Sequence, residues 1–109
     1  MAMRNLPTDA PALLSELVAV RPGQVSSMAL SGSSAIDMTL LAFAEGESVS
    51  EEEYFGDTLY FIVEGAAVVV LPDRRVSVRA GEVFMVPAHV VHAVESDGAF
   101  KVLQITIPE

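Results

Sequence analysis

From Val25 onward the chain is a series of short apolar runs, each stopped by a cluster of turn residues: "SGSS", "EGES", "EG", "PDRR", "AGE", "PAH" and "SDG". A helix of ordinary length needs an unbroken stretch with apolar residues three or four apart, and this punctuation leaves no room for one. Short runs rich in Val, Ile, Leu and Phe at regular spacing predict an all-β barrel or sandwich instead. Strands are expected near Val25–Ser31, Ala35–Ala44, Thr58–Val63, Ala66–Leu71, Arg75–Arg79, Val83–Val86, Val90–Val94 and Phe100–Ile107. "LYFIV" and "AAVVVL" barely alternate between apolar and polar. Such strands are expected to bury one face inside a barrel and the other against a second sheet or a partner chain. Gly65 and Gly81 fall at corners, where a positive φ is comfortable only without a Cβ.

Ahead of Val25, "TDAPALLSELV" predicts one short helix. Thr8 or Asp9 can cap it, Pro11 suits a first turn, Leu13, Leu14 and Leu17 share a face, and "RPGQ" closes it. The expected division is an N-terminal segment over residues 1–24, carrying that helix, and a barrel domain over residues 25–109. A chain of 109 residues suits a single core.

Composition narrows the function classes. Six basic against fifteen acidic residues give a formal net charge of -9. A phosphate backbone and an anionic membrane surface both draw their affinity from Lys and Arg, so neither nucleic acid nor membrane is expected as a partner. The absence of cysteine removes disulfides, thiolate catalysis and zinc–thiolate sites. "MAMRNLPTDAP" has one arginine and no apolar stretch after it, so no signal peptide is expected. The apolar run Leu59–Leu71 is interrupted by Glu64 and Gly65 and is too short to span a bilayer. A cytoplasmic location is the expectation.

Two spaced motifs carry more. "GESVSEEEYFGDTLYFIVEG" runs from Gly46 to Gly65, and "GEVFMVPAHVVHAVES" from Gly81 to Ser96, with the "PDRR" hairpin between them. Together they resemble the cupin family, small double-stranded β-helix barrels of jelly-roll type. Its first motif reads Gly, five residues, His-x-His, three or four residues, Glu, six residues, Gly. Its second reads Gly, five residues, Pro-x-Gly, two residues, His, three residues, Asn. The resemblance covers roughly Leu40 to Ile107 and implies a jelly-roll barrel with a central cavity.

The departures from the family pattern are concentrated at the ligands. Counting from Gly46, the histidine positions fall on Glu52 and Tyr54; counting back from Gly65, the glutamate position falls on Thr58. In the second motif the glycine position is His89 and the asparagine position Ser96, while His92 keeps its identity. The resemblance therefore implies a cupin with a degenerate metal site. Its cavity would be walled by Glu52, Tyr54, Thr58, Tyr60 and His92, and Glu52 and His92 are the candidate metal ligands. By strand alternation Glu51 and Glu53 point away into solvent, and His89 is expected to be an exposed turn residue. A carboxylate and an imidazole suit Zn, Fe, Ni or Mn, but two ligands bind such an ion weakly. The expected function is a binding module holding a small organic molecule, with no certain cofactor. The alternatives are a metal-dependent enzyme, dioxygenase- or isomerase-like, with a reduced ligand set, and an interaction protein whose strands serve pairing. A homodimer is expected in each case.

Overall fold

A computed structural model describes residues 2–108. Among these residues the chain forms nine strands: β1 Val25–Ala29, β2 Asp37–Phe43, β3 Ser48–Glu52, β4 Gly56–Glu64, β5 Ala66–Val70, β6 Arg75–Arg79, β7 Val83–Val86, β8 His92–Ser96 and β9 Phe100–Pro108. They make two antiparallel sheets, ordered β1-β2-β9-β4-β7 and β3-β8-β5-β6. The chain is all-β, as the turn punctuation predicts, and the two sheets face each other as a jelly-roll barrel, as the family resemblance implies.

Strand alternation sorts the inward residues of the larger sheet into rows, because the register sets them side by side. Phe43 lies opposite Phe100, with ring centroids 4.4 Å apart and planes 17° from parallel. The next row is Leu41, Val102 and Ile62; the next is Thr39, Gln104 and Tyr60; the last is Asp37, Thr106 and Thr58. The inner face thus grades from aromatic through aliphatic to polar. Phe43, Ile62, Phe100 and Val102 join Ala67, Val69, Val78 and Val94 of the facing sheet in one buried cluster. This apolar end is the packed core, and the polar end is where the barrel stays open.

The N-terminal segment departs from expectation. The helix predicted in "TDAPALLSELV" is a single 3-10 turn, Leu14–Glu16, preceded by Leu13 with no side-chain cap. A lone helix of that length is marginal in water, and tertiary packing decides its conformation. Here Leu6, Leu14, Leu17 and Val18 lie against Leu40 and Ala42, the outward residues of β2. Backbone bonds from Arg4 to Leu30 and from Gly32 to Ala2 fasten the segment, and the Lys101 ammonium reaches the Ser15 carbonyl at 2.5 Å. β2 is apolar on both faces because this segment covers its outside.

One strand was not expected, and most of the others begin or end one or two residues from their expected bounds. β3 occupies a stretch read from sequence as turn and acidic run, because its pairing with β8 overrides the low strand propensity of serine and glutamate. β8 begins at His92 rather than Val90, since the Val90 N–H closes a turn onto the Pro87 carbonyl. β2 begins at Asp37 rather than Ala35. No helix among the described residues is long and apolar enough to cross a membrane.

The two corner glycines separate two effects. Both have positive φ, +80° at Gly65 and +87° at Gly81, but a Cβ at Gly81 would meet open space. At Gly65 it would press on the Ala99 carbonyl oxygen and lie 2.9 Å from the Phe100 Cβ. In urea unfolding, Gly81→Ala is expected to cost about 1 kcal/mol, the left-handed backbone term alone. Gly65→Ala is expected to cost about 2 kcal/mol more, because overpacking against β9 is added. Equal losses would show that the close approach to Phe100 contributes nothing.

Candidate functional site

A cavity of about 240 Å³ opens at the polar end of the barrel. Its floor is apolar, made by Leu41, Phe43 and Val102 of the larger sheet and Val49 and Val94 of the smaller. Its polar wall includes Glu52, Tyr54, Tyr60, His92 and Gln104, and no lysine or arginine lines it.

One irregularity in β3 decides which glutamate enters. Val49 pairs with Val94 and Glu52 pairs with His92, so the bulged strand takes one residue more than its partner between those two pairs. In regular register Glu51 would stand opposite His92. The bulge sets Glu52 in the cavity wall while Glu51 and Glu53 lie outside the lining, and all three are exposed.

His92 opens β8 and is 2 % exposed. Its Nδ1 lies 2.9 Å from the Val90 carbonyl oxygen, which can only accept, so Nδ1 carries the proton. In an imidazole with its proton on Nδ1, Nε2 has only a lone pair to offer and accepts from the Tyr60 hydroxyl at 2.7 Å. Tyr60 stands at the middle of β4 on the inward face, 2 % exposed, with its ring edge-on to the imidazole. Burial pushes its phenol well above the ordinary value, and the nearby Tyr54 and Glu52 add to the effect. The Tyr60 hydroxyl therefore keeps its proton and donates it. Tyr54 is half-buried at the rim, its ring centroid 5.8 Å from that of His92.

The structure brings Glu52, Tyr54, Tyr60 and His92 together around one cavity and leaves Thr58 out. Thr58 shares the inward face of Tyr60 but sits one row further on, buried, with its hydroxyl 2.9 Å from that of Thr106. That bond satisfies the group locally. Four polar residues that the sequence reading passed over do line the cavity: Ser27, Thr39, Ser50 and Gln104. The signal for Thr39 and Gln104 was available, since each is a polar side chain two residues along the inward face from an apolar one, Leu41 and Val102. His89 is exposed, as expected, and has a φ of 67°, so at the motif's glycine position it keeps glycine's left-handed backbone. Its N–H donates to the Tyr54 carbonyl at 2.9 Å, and its ring meets Phe55 edge-on.

The donor set does not fit a tightly held metal. Among the described residues no three His, Asp or Glu side chains come together, and tight sites use three or more protein ligands. Of the two candidates that remain, His92 has both ring nitrogens engaged, so an ion at Nε2 would have to displace the Tyr60 hydroxyl.

Comparison with known proteins agrees with this architecture. The family model for the cupin domain matches residues 39–106, and the chain belongs to the cupin family. It is similar to a cupin superfamily protein from Desulfitobacterium hafniense DCB-2, at 48 % identity over 98 % of both chains with a TM-score of 0.96. A conserved protein of unknown function from Streptococcus pyogenes shares the fold at 20 % identity, over 100 % of this chain and 96 % of that one, with a TM-score of 0.95. A cupin 2 conserved barrel domain protein from Leptotrichia buccalis is 30 % identical over 85 % of this chain and 45 % of its own, at a TM-score of 0.82. No curated protein matches the sequence.

Tyr60→Phe tests the buried pair. Removing the phenol leaves His92 Nε2 without its donor, at an expected cost of about 1–3 kcal/mol. The wild type should also carry an alkaline instability that the variant lacks. The folded phenol titrates above the unfolded value of 10.0, so its contribution is complete below that pH and is lost as pH rises toward the folded value. Denaturation midpoints measured from pH 8 upward check this, and parallel curves for the two proteins would contradict it.

Proposed function

We propose that this cupin is a binding module that holds a small organic molecule in its barrel cavity, with a degenerate site that holds divalent metal weakly. The observation that carries the reading is the cavity itself, an apolar floor beneath a few convergent polar groups, which is the ordinary form of a small-molecule site. At about 240 Å³ it lies below the range of roughly 300–1,000 Å³ that takes drug-sized ligands, so the occupant is small. Glu52, Tyr54, Tyr60 and His92 are its proposed binding residues, with the cytoplasm as the setting that the composition suits best.

Elemental analysis of protein purified without chelator and then dialysed tests the metal half. The expected content of Zn, Fe, Ni and Mn is well below one ion per chain. Near-stoichiometric metal would move the reading to a metal-dependent enzyme with a reduced ligand set.

We also propose a homodimer formed through the outer face of the larger sheet. The register sets Leu59 beside Ile105 and Met85, and Phe61 beside Val83, with Ile107 at the end of the same face. The N-terminal segment packs with Leu40, Ala42, Leu103 and Val63 of this sheet, and Val83, 58 % exposed, and Met85, 49 % exposed, stay outside that cluster. A contiguous apolar sheet face of this kind marks an association surface, and a second copy offers a self-complementary apolar partner. Sedimentation at micromolar concentration is expected to give a dimer for the wild type and a folded monomer for Val83→Asp combined with Met85→Asp. A monomeric wild type would refute this arrangement.

A further inference from the structure

We infer that the cavity selects a small organic cation, a primary ammonium on an aliphatic tail. This rests on the small-molecule reading and goes beyond it by fixing the ligand's charge and polarity.

The direction of one hydrogen-bond chain and the charge of the lining carry the inference together. His92 Nδ1–H is used on the Val90 carbonyl, and the one proton of the Tyr60 hydroxyl is used on His92 Nε2. What Tyr60 can still offer the cavity is the lone-pair side of its oxygen, and the imidazole has no free N–H to offer. The Glu52 carboxylate, on the same wall, only accepts. Tyr54, Gln104, Ser27 and Ser50 can donate as well as accept, so the groups that can only accept, the Glu52 carboxylate and the remaining lone pair of Tyr60, are the ones that call for a donor-rich partner. An ammonium group brings three N–H donors and no acceptor, and a carboxylate or phosphate would bring the reverse.

Charge points the same way. Glu52 is the one side chain with a formal charge in the lining, and no lysine or arginine stands there to receive an anion. Arg75 pairs with Glu95, and Lys101 with Glu64 and the Ser15 carbonyl, all away from the cavity. The whole chain, at a formal -9, raises the local concentration of cations further. The Tyr54 ring at the rim adds an aromatic face of the kind that attracts cations. Below the rim, Leu41, Phe43, Val49, Val94 and Val102 leave an apolar floor that suits a short alkyl tail.

The test compares three molecules of one shape: n-butylammonium, 1-butanol and butyrate. Binding is followed in amide and side-chain NMR spectra of the full-length protein at Tyr60, His92, Val94 and Gln104. Butylammonium is expected to shift these resonances saturably and to bind more tightly than the alcohol, with butyrate weakest. Glu52→Gln should weaken butylammonium by roughly fivefold to tenfold, the effect of one charge-assisted contact at a partly exposed site. Glu53→Gln should leave it unchanged, and the triple variant Glu51→Gln, Glu52→Gln, Glu53→Gln removes any neighbour that could substitute. Butanol or butyrate binding as tightly as the amine would overturn the cation inference and leave the small-molecule reading standing. Butylammonium affinity unaltered in the triple variant would overturn it equally. If none of the three molecules moves the cavity resonances, the inference falls. The broader reading falls with it only if a mixed set of small neutral and charged fragments also leaves them in place.

Discussion

One buried hydrogen bond, from the Tyr60 hydroxyl to His92 Nε2, ties the two sheets together at the open end of the barrel. Tyr60 comes from the middle of β4 in one sheet and His92 from the start of β8 in the other. At the closed end apolar packing does this work, and the Phe43–Phe100 stack needs no directional partner. At the open end the residues are polar, and buried polar groups hold position only when they are satisfied. The Val90 carbonyl, His92 and Tyr60 form a chain in which each donor finds an acceptor, and no buried side-chain polar atom among the described residues lacks a partner. The cavity wall is thereby set before any ligand arrives.

The same bond explains how a barrel of this family differs from the pattern its motifs describe. The second-motif histidine is present, but its coordinating nitrogen faces a phenol. Two of the other ligand positions carry Tyr54 and Thr58, and neither is a strong ligand for a divalent ion. One fold hosts many chemistries, so membership of the cupin family fixes the barrel and leaves the occupant to the side chains that line it.

Much of this architecture was legible in the sequence, because turn residues and strand alternation are local signals. The breaks between Val25 and Ile107 located most strands, and counting from Gly46 and Gly81 singled out Glu52 and His92, which meet as register partners. The misses have a common cause in tertiary context. The N-terminal leucines have helical spacing, yet burial against Leu40 and Ala42 holds them in a single 3-10 turn. β3 looks like loop because its strand character comes from pairing with β8. Thr58 stands at a ligand position by spacing, and only the register shows its hydroxyl engaged with Thr106 in the row beyond Tyr60. Gln104 lies outside both motifs, and β9 brings it beside Tyr60.

The bulge in β3 has a consequence for how sequence change is tolerated. Loss of the extra residue between Val49 and Glu52 would close the bulge with Glu52 still opposite His92, and a one-residue slip of the strand would present Glu51 or Glu53 in its place. Glu51, Glu52 and Glu53 are chemically identical, so either slip still delivers a carboxylate to the mouth. A codon deleted or duplicated ahead of the run would leave the chemistry of the site intact. The run of three glutamates keeps a carboxylate opposite His92 through a one-residue slip in either direction of a bulged strand.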